Sequence, residues 1–170
     1  MRIKTFYPPW YTYLMIKACI FDVGGVLHKS GLFPPENEDL SNFPVTDAEF
    51  QSSYRNKEVT QIVQSLKQQK YLVAVLSNTI APHVEYLRQR GIYDDFSIEI
   101  FSNEVHFRKP DFRIYLLTLE RLQVAPEEAV FIDDLAENVE GATQLGINGI
   151  IFKSAEQLQR DLLQLGVTIN

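Results

Sequence analysis

A chain of 170 residues is the size of one domain and can bury a substantial core. Hydrophobic residues make up 45% and charged residues 22%, the mixture of an ordinary soluble globular protein. A formal net charge of −6 argues against a general nucleic-acid binder, and the single cysteine, Cys19, excludes an internal disulfide or a cysteine-based zinc site.

Residues 1–14 include Phe6, Tyr7, Pro8, Pro9, Trp10, Tyr11 and Tyr13 and lack the continuous apolar centre of a signal peptide. They are expected to be an N-terminal extension to a domain spanning 15–170, either without function or serving as a small aromatic docking surface. No apolar stretch has the length needed to span a membrane, so a cytoplasmic protein is expected.

The first strand, Ala18-Cys19-Ile20-Phe21, stops on Asp22 and runs into Val23-Gly24-Gly25-Val26-Leu27. In a parallel α/β sheet this puts a carboxylate at the carboxyl end of a strand, where such folds bind their ligands. The two glycines let the backbone turn and approach a ligand closely. Taken alone, Asp22 reads equally well as a turn residue or helix cap. Residues 28–56 lack periodicity and carry Pro34, Pro35 and Pro44, so they read as loop, with one short helix after the capping pattern Thr46-Asp47-Ala48-Glu49.

From 57 to 70, Val59, Ile62, Val63 and Leu66 recur at helical spacing. A second strand, Leu72 to Leu76, ends on Ser77-Asn78-Thr79, and a helix from Pro82 to Arg90 is stopped by Gly91. Alternation around Phe96, Ile98 and Ile100 predicts a third strand. Lys109 stands before Pro110, which is expected to open a helix over 111–122 with Phe112, Tyr115, Leu116, Leu119 and Leu122 on one face. The strand Ala129–Ile132 ends on Asp133-Asp134 and leads to a helix marked by Leu135, Val139, Ala142 and Leu145. A short strand over 149–152 and a helix with Leu158, Leu162 and Leu165 complete the chain. Strands alternating with helices imply a parallel sheet covered on both faces.

Four segments thus have special ends: Phe21-Asp22-Val23-Gly24-Gly25-Val26, Ser77-Asn78-Thr79, Phe107-Arg108-Lys109-Pro110-Asp111 and Asp133-Asp134. In this order they resemble the haloacid dehalogenase superfamily of hydrolases over residues 16–166. The branch with an FDxGGV first motif is the nearest in pattern; it includes sugar-phosphate phosphatases and the N-terminal phosphatase domain of soluble epoxide hydrolases. The resemblance implies a Rossmann-like three-layer α/β/α domain with a parallel sheet of order 5-4-1-2-3, its cap reduced or absent. Asp22, Asp133 and Asp134 would then converge in one crevice. Their mutual repulsion would be offset by Lys109 and a Mg²⁺ ion, which favours such oxygen ligands.

The same resemblance implies roles. Asp22 would be the nucleophile that forms an aspartyl-phosphate. Asp22, the carbonyl of Gly24, Asp134 and Asp133 would hold the metal or its water. Ser77 and Asn78 would grip the phosphate with a hydroxyl and backbone N–H groups, Lys109 would balance the charge of nucleophile and phosphoryl, and Asn138 would brace the lysine or its loop. Arg108 reads as surface. The expected substrate is a small phosphomonoester, or a phosphate group on a larger substrate, with no nucleic acid and no membrane involved.

The chain departs from the superfamily pattern in two ways. Gly24 stands where phosphatases usually place a second aspartate, the general acid and base, whose loss typically costs about 10²–10⁴-fold; His28 and His106 are candidate substitutes. Residues 28–56 are also too few for a helical cap of their own and are expected to form a flap. The crevice is then either open or closed by a partner, as in a homodimer. A binding module without turnover and a metal-independent haloacid dehalogenase are the competing readings.

Overall fold

The computed structural model of the chain describes residues 15–28 and 55–169. The expected extension over 1–14, the short helix after Thr46 and most of the 28–56 flap lie outside these residues. Five strands form one parallel sheet: β1 (Ala18–Phe21), β2 (Leu72–Ser77), β3 (Ile98–Phe101), β4 (Ala129–Asp133) and β5 (Asn148–Ile151), in the order β3-β2-β1-β4-β5. This is the expected order, with β1 central and paired in register to both β2 and β4.

The helices are α1 (Lys57–Gln68), α2 (Ala81–Gln89), a single turn α3 (Ser102–Val105), α4 (Phe112–Leu122), α5 (Ala136–Thr143) and α6 (Ala155–Gln164). Side chains of a strand point alternately to opposite faces, and the core divides accordingly. Cys19, Phe21, Val73, Val75, Val130 and Ile132 pack with Val59, Ile62, Val63 and Leu66 of α1, Val84 and Leu87 of α2, and Leu158 and Leu162 of α6. Ala18, Ile20, Ala74, Leu76, Ala129 and Phe131 pack on the other face with Ile114, Tyr115, Leu119 and Leu122 of α4 and Ala142 of α5. The three central strands, β1, β2 and β4, are apolar up to their carboxyl-end residues because both faces are covered. Cys19 is one of these core residues, and burial pushes its thiol up to about 12, which leaves it protonated and inert. Among the described residues no helix is long and apolar enough to cross a membrane.

Three local expectations are corrected. Pro110 does not open α4: it lies in the preceding turn, and Asp111 caps the helix by accepting a hydrogen bond from the Arg113 N–H. The buried face of α4 is Ile114, Tyr115, Thr118, Leu119 and Leu122, while Phe112 and Leu116 are exposed. Thr118 enters this face because its hydroxyl bonds to the Ile114 carbonyl within the helix, so its burial leaves no polar atom unmatched. Leu135 is likewise exposed, as the residue before α5 rather than a member of its core face.

Candidate active site

Asp22, Ser77 and Asp133 all sit at carboxyl ends of neighbouring strands, so the parallel sheet itself gathers them. The Asp22 N–H still donates to the Ile132 carbonyl, which locks the end of β1 to β4 one residue before the carboxylate pair. Beyond it the chain turns through Gly25, whose φ of 75° lies in the left-handed region that favours glycine. Gly24 serves the turn differently: its φ is not in that region, and a Cβ built there would meet nothing nearer than Asp22 Oδ2 at 4.0 Å.

Lys109 is the hub. Its Nζ lies 2.6 Å from Asp22 Oδ1 and 2.6 Å from Asp133 Oδ2, with residue exposures of 3% for the lysine, 7% for Asp22 and 0% for Asp133. The ammonium also stands 5.4 Å from the centre of the Phe131 ring. In this little-hydrated setting the attraction between one cation and two carboxylates is stronger than in a surface ion pair, and it is set against the cost of taking three charges out of water.

The neighbours of the hub hold it in place. Asn78 clamps the Lys109 backbone from both sides: its Nδ2 donates to the Lys109 carbonyl at 2.9 Å, and its Oδ1 accepts from the Lys109 N–H at 2.8 Å. The Asn78 amide is therefore engaged with the lysine loop through both its oxygen and its nitrogen. Asn138 donates to both oxygens of Asp133, at 3.0 and 3.2 Å, and the Leu135 N–H donates to Asp133 Oδ1 at 2.8 Å. Asn138 thus braces Asp133, not the lysine itself. Tyr115, from α4, bonds to the Asn138 carbonyl at 2.8 Å and ties the start of α5 to the core. Gly141 lets α5 come close to the lysine loop, because a Cβ there would lie 2.9 Å from Pro110 Cβ and 3.0 Å from the Pro110 carbonyl oxygen.

Asp22, Asp133 and Asp134 each offer a carboxylate oxygen, all within 4.8 Å of one another. Burial raises the Asp22 carboxyl from 3.8 to about 6; Lys109 opposes the rise and Asp133 adds to it. The burial penalty on the charged form thus outweighs the stabilisation that Lys109 supplies. The donor set is all oxygen, which suits Mg²⁺. Asp133 is a poorer direct ligand than Asp22 or Asp134, since Lys109, Asn138 and Leu135 already occupy both its oxygens.

Asp22, Ser77, Asn78, Lys109, Asp134 and Asn138 line one cavity of about 700 Å³, shared with Val23, Gly24, Gly25, His28, Thr79, His83, Arg108, Glu137 and Leu135, while Asp133 lies buried behind it. Of the two histidines singled out in the sequence, His28 is buried and lines this cavity, whereas His106 is exposed and does not. His83, Glu137 and Arg108 are lining residues that sequence reasoning missed or assigned to the surface. The position of His83 in the first turn of the helix after Ser77 was the available signal; for Arg108 it was adjacency to Lys109.

The family model described as haloacid dehalogenase-like hydrolase matches residues 46–146. The chain is 34% identical over 96 residues to a phosphorylated carbohydrates phosphatase of Thermotoga maritima, covering 56% of this chain and 44% of the relative. It is 27% identical over 141 residues to bifunctional epoxide hydrolase 2 of Sus scrofa, covering 78% of this chain and 24% of that protein. The chain therefore spans less than half the length of either relative. In fold it is similar to a HAD family enzyme of Bacteroides thetaiotaomicron crystallised with magnesium and inorganic phosphate, with a TM-score of 0.62, 24% identity, and coverage of 82% of this chain and 95% of that one. With a family match over more than half its length and the expected strand order beneath it, the chain belongs to the haloacid dehalogenase-like hydrolases.

Proposed function

We propose that this protein is a Mg²⁺-dependent phosphatase that hydrolyses phosphomonoesters through a phospho-aspartate on Asp22, with the cytoplasm as its setting. The observation that carries the reading is Lys109 held between Asp22 and Asp133 at the floor of a cavity. A carboxylate kept ionised by a buried ammonium is a nucleophile aimed at an electrophile that arrives with its own negative charge. Asp22, Asp134 and the Gly24 carbonyl would hold Mg²⁺, which when bound neutralises charge on the carboxylates and phosphoryl oxygens. Lys109 supplies fixed positive charge beside the attacking oxygen, and Asp133 and Asn138 hold that charge still. Ser77, buried at the end of β2, would grip a phosphoryl oxygen together with the Asn78 backbone. The named phosphatase relative supports the same reaction class.

The test is phosphate release from p-nitrophenyl phosphate, whose good leaving group needs no general acid. Activity should require both Mg²⁺ and Asp22. Full activity in EDTA or in Asp22→Asn rejects the mechanism. Haloacid turnover without metal would favour the dehalogenase reading, and phosphate binding without turnover the binding-module reading.

A further inference from the structure

Two consecutive cations, Arg108 and Lys109, line the cavity, and they occupy it at different depths. Lys109 is buried with its charge consumed by Asp22 and Asp133. Arg108 is exposed, and its guanidinium makes no hydrogen bond or ion pair with any described residue. Asp111, which also lines the cavity, is paired with Arg113, and Glu137 at the exposed rim makes no ion pair with Arg108.

The arginine is nevertheless well positioned. Its carbonyl accepts the Asp111 N–H at 2.8 Å, and the next residue is clamped through both backbone groups by Asn78. A guanidinium carried on an anchored backbone at a cavity rim, with no carboxylate partner among the described residues, is suited to a bidentate contact with an anionic group of a ligand. A substrate phosphoryl bound at Asp22 would lie on the floor, beside Lys109. The group that meets Arg108 would then lie on the leaving-group side of the ester.

We infer that Arg108 is a specificity-determining residue that selects phosphomonoesters carrying a second anionic group, a carboxylate or a second phosphate. The inference rests on the phosphatase reading above for the location of the reacting phosphoryl. It also bears on the substrate class, since a neutral polyol phosphate would leave this cation unused.

The experiment compares two matched pairs: 3-phosphoglycerate with glycerol 3-phosphate, and fructose 1,6-bisphosphate with fructose 6-phosphate. The first pair tests a carboxylate and the second a phosphate. The wild type should prefer the doubly anionic member of at least one pair, and Arg108→Gln should lower that ratio of kcat/KM by about ten-fold. Arg108→Lys should fall between, because it keeps the charge without the fork. Calorimetric binding of the same four compounds to Asp22→Asn, with and without Arg108→Gln, gives a readout independent of turnover. A binding preference that needs Arg108, in a protein that hydrolyses nothing, upholds the inference and rejects the phosphatase reading. Equal losses on both members of each pair, or no preference in kinetics or binding, overturn it.

Discussion

Asn78 and Lys109, 31 residues apart in sequence, are joined by two hydrogen bonds between one side-chain amide and both backbone polar groups of the other residue. The arrangement fixes where the lysine leaves the backbone, and so where its ammonium arrives between two carboxylates. A residue type that phosphate sites use for contact with ligand is employed here, through its side chain, as a brace.

Loss of that brace should therefore act on turnover through placement. Asn78→Ala strands a donor and an acceptor of a half-buried loop, and is expected to cost about 1–3 kcal/mol of stability. Displacement of the lysine should lower kcat by about 10- to 100-fold, with Asn78→Asp, which keeps the acceptor, less affected. Steady-state kinetics and urea denaturation on the same preparations check both parts. Wild-type kcat in Asn78→Ala would show that the clamp is idle.

Lys109→Met keeps the length of the side chain and removes its charge. With Asp22 and Asp133 then facing each other uncompensated, the metal-free protein should lose about 3–5 kcal/mol at pH 7. The loss should shrink at pH 5, where the Asp22 carboxyl, raised to about 6, accepts a proton, and on addition of millimolar Mg²⁺. Urea midpoints under the three conditions decide the matter, and a loss indifferent to pH and Mg²⁺ would refute charge repulsion as its cause.

The raised carboxyl of Asp22 sets a pH dependence of the metal-free protein. Its folded value, about 6, exceeds its ordinary value of 3.8 because burial penalises the charged form. The folded state then binds this proton more tightly than the unfolded chain. The resulting stability is complete below about pH 4 and lost as pH rises through about 6. At roughly 1.4 kcal/mol per unit of pKa, the loss is at most about 3 kcal/mol. Asp22→Asn cannot take up that proton and should gain on the wild type over this interval. Urea titrations in EDTA at pH 4, 5, 6 and 7 measure the difference; parallel curves for the two proteins would show that Asp22 is not the group responsible.

Gly24→Asp should fold, since the backbone there is outside the left-handed region and a Cβ meets nothing closer than 4.0 Å. If a general acid is what the site lacks, this variant should gain on alkyl phosphates by about 10- to 100-fold over any change on aryl phosphates. Rates on β-glycerophosphate and p-nitrophenyl phosphate give the comparison, and Mg²⁺ titrations of the same variant exclude altered metal affinity. Equal responses on both substrates would remove the missing-acid explanation.

The strand ends were readable because their signals are local. An apolar run ending on Asp22, Ser77 or Asp133 announces both the strand and the turn after it, and Gly25 marks the bend through its positive φ. Helix faces were less secure. The interval from Phe112 to Leu116 satisfies helical spacing as well as that from Ile114 to Thr118, and only the sheet surface beneath α4 selects the second.

By itself, then, the amino-acid order determined the alternation of elements, the chemical inventory at the strand ends and, through family resemblance, the sheet order. Tertiary structure alone decided which partner each polar group takes. Asp22 meets Lys109 across 87 residues, the Asn78 amide turns to the lysine loop, Asn138 turns to Asp133, and the Arg108 guanidinium is left at the rim without a described partner. The reason is physical: periodicity reports which face of an element is buried, whereas a hydrogen bond is chosen among all donors and acceptors that the folded sheet brings within about 3 Å.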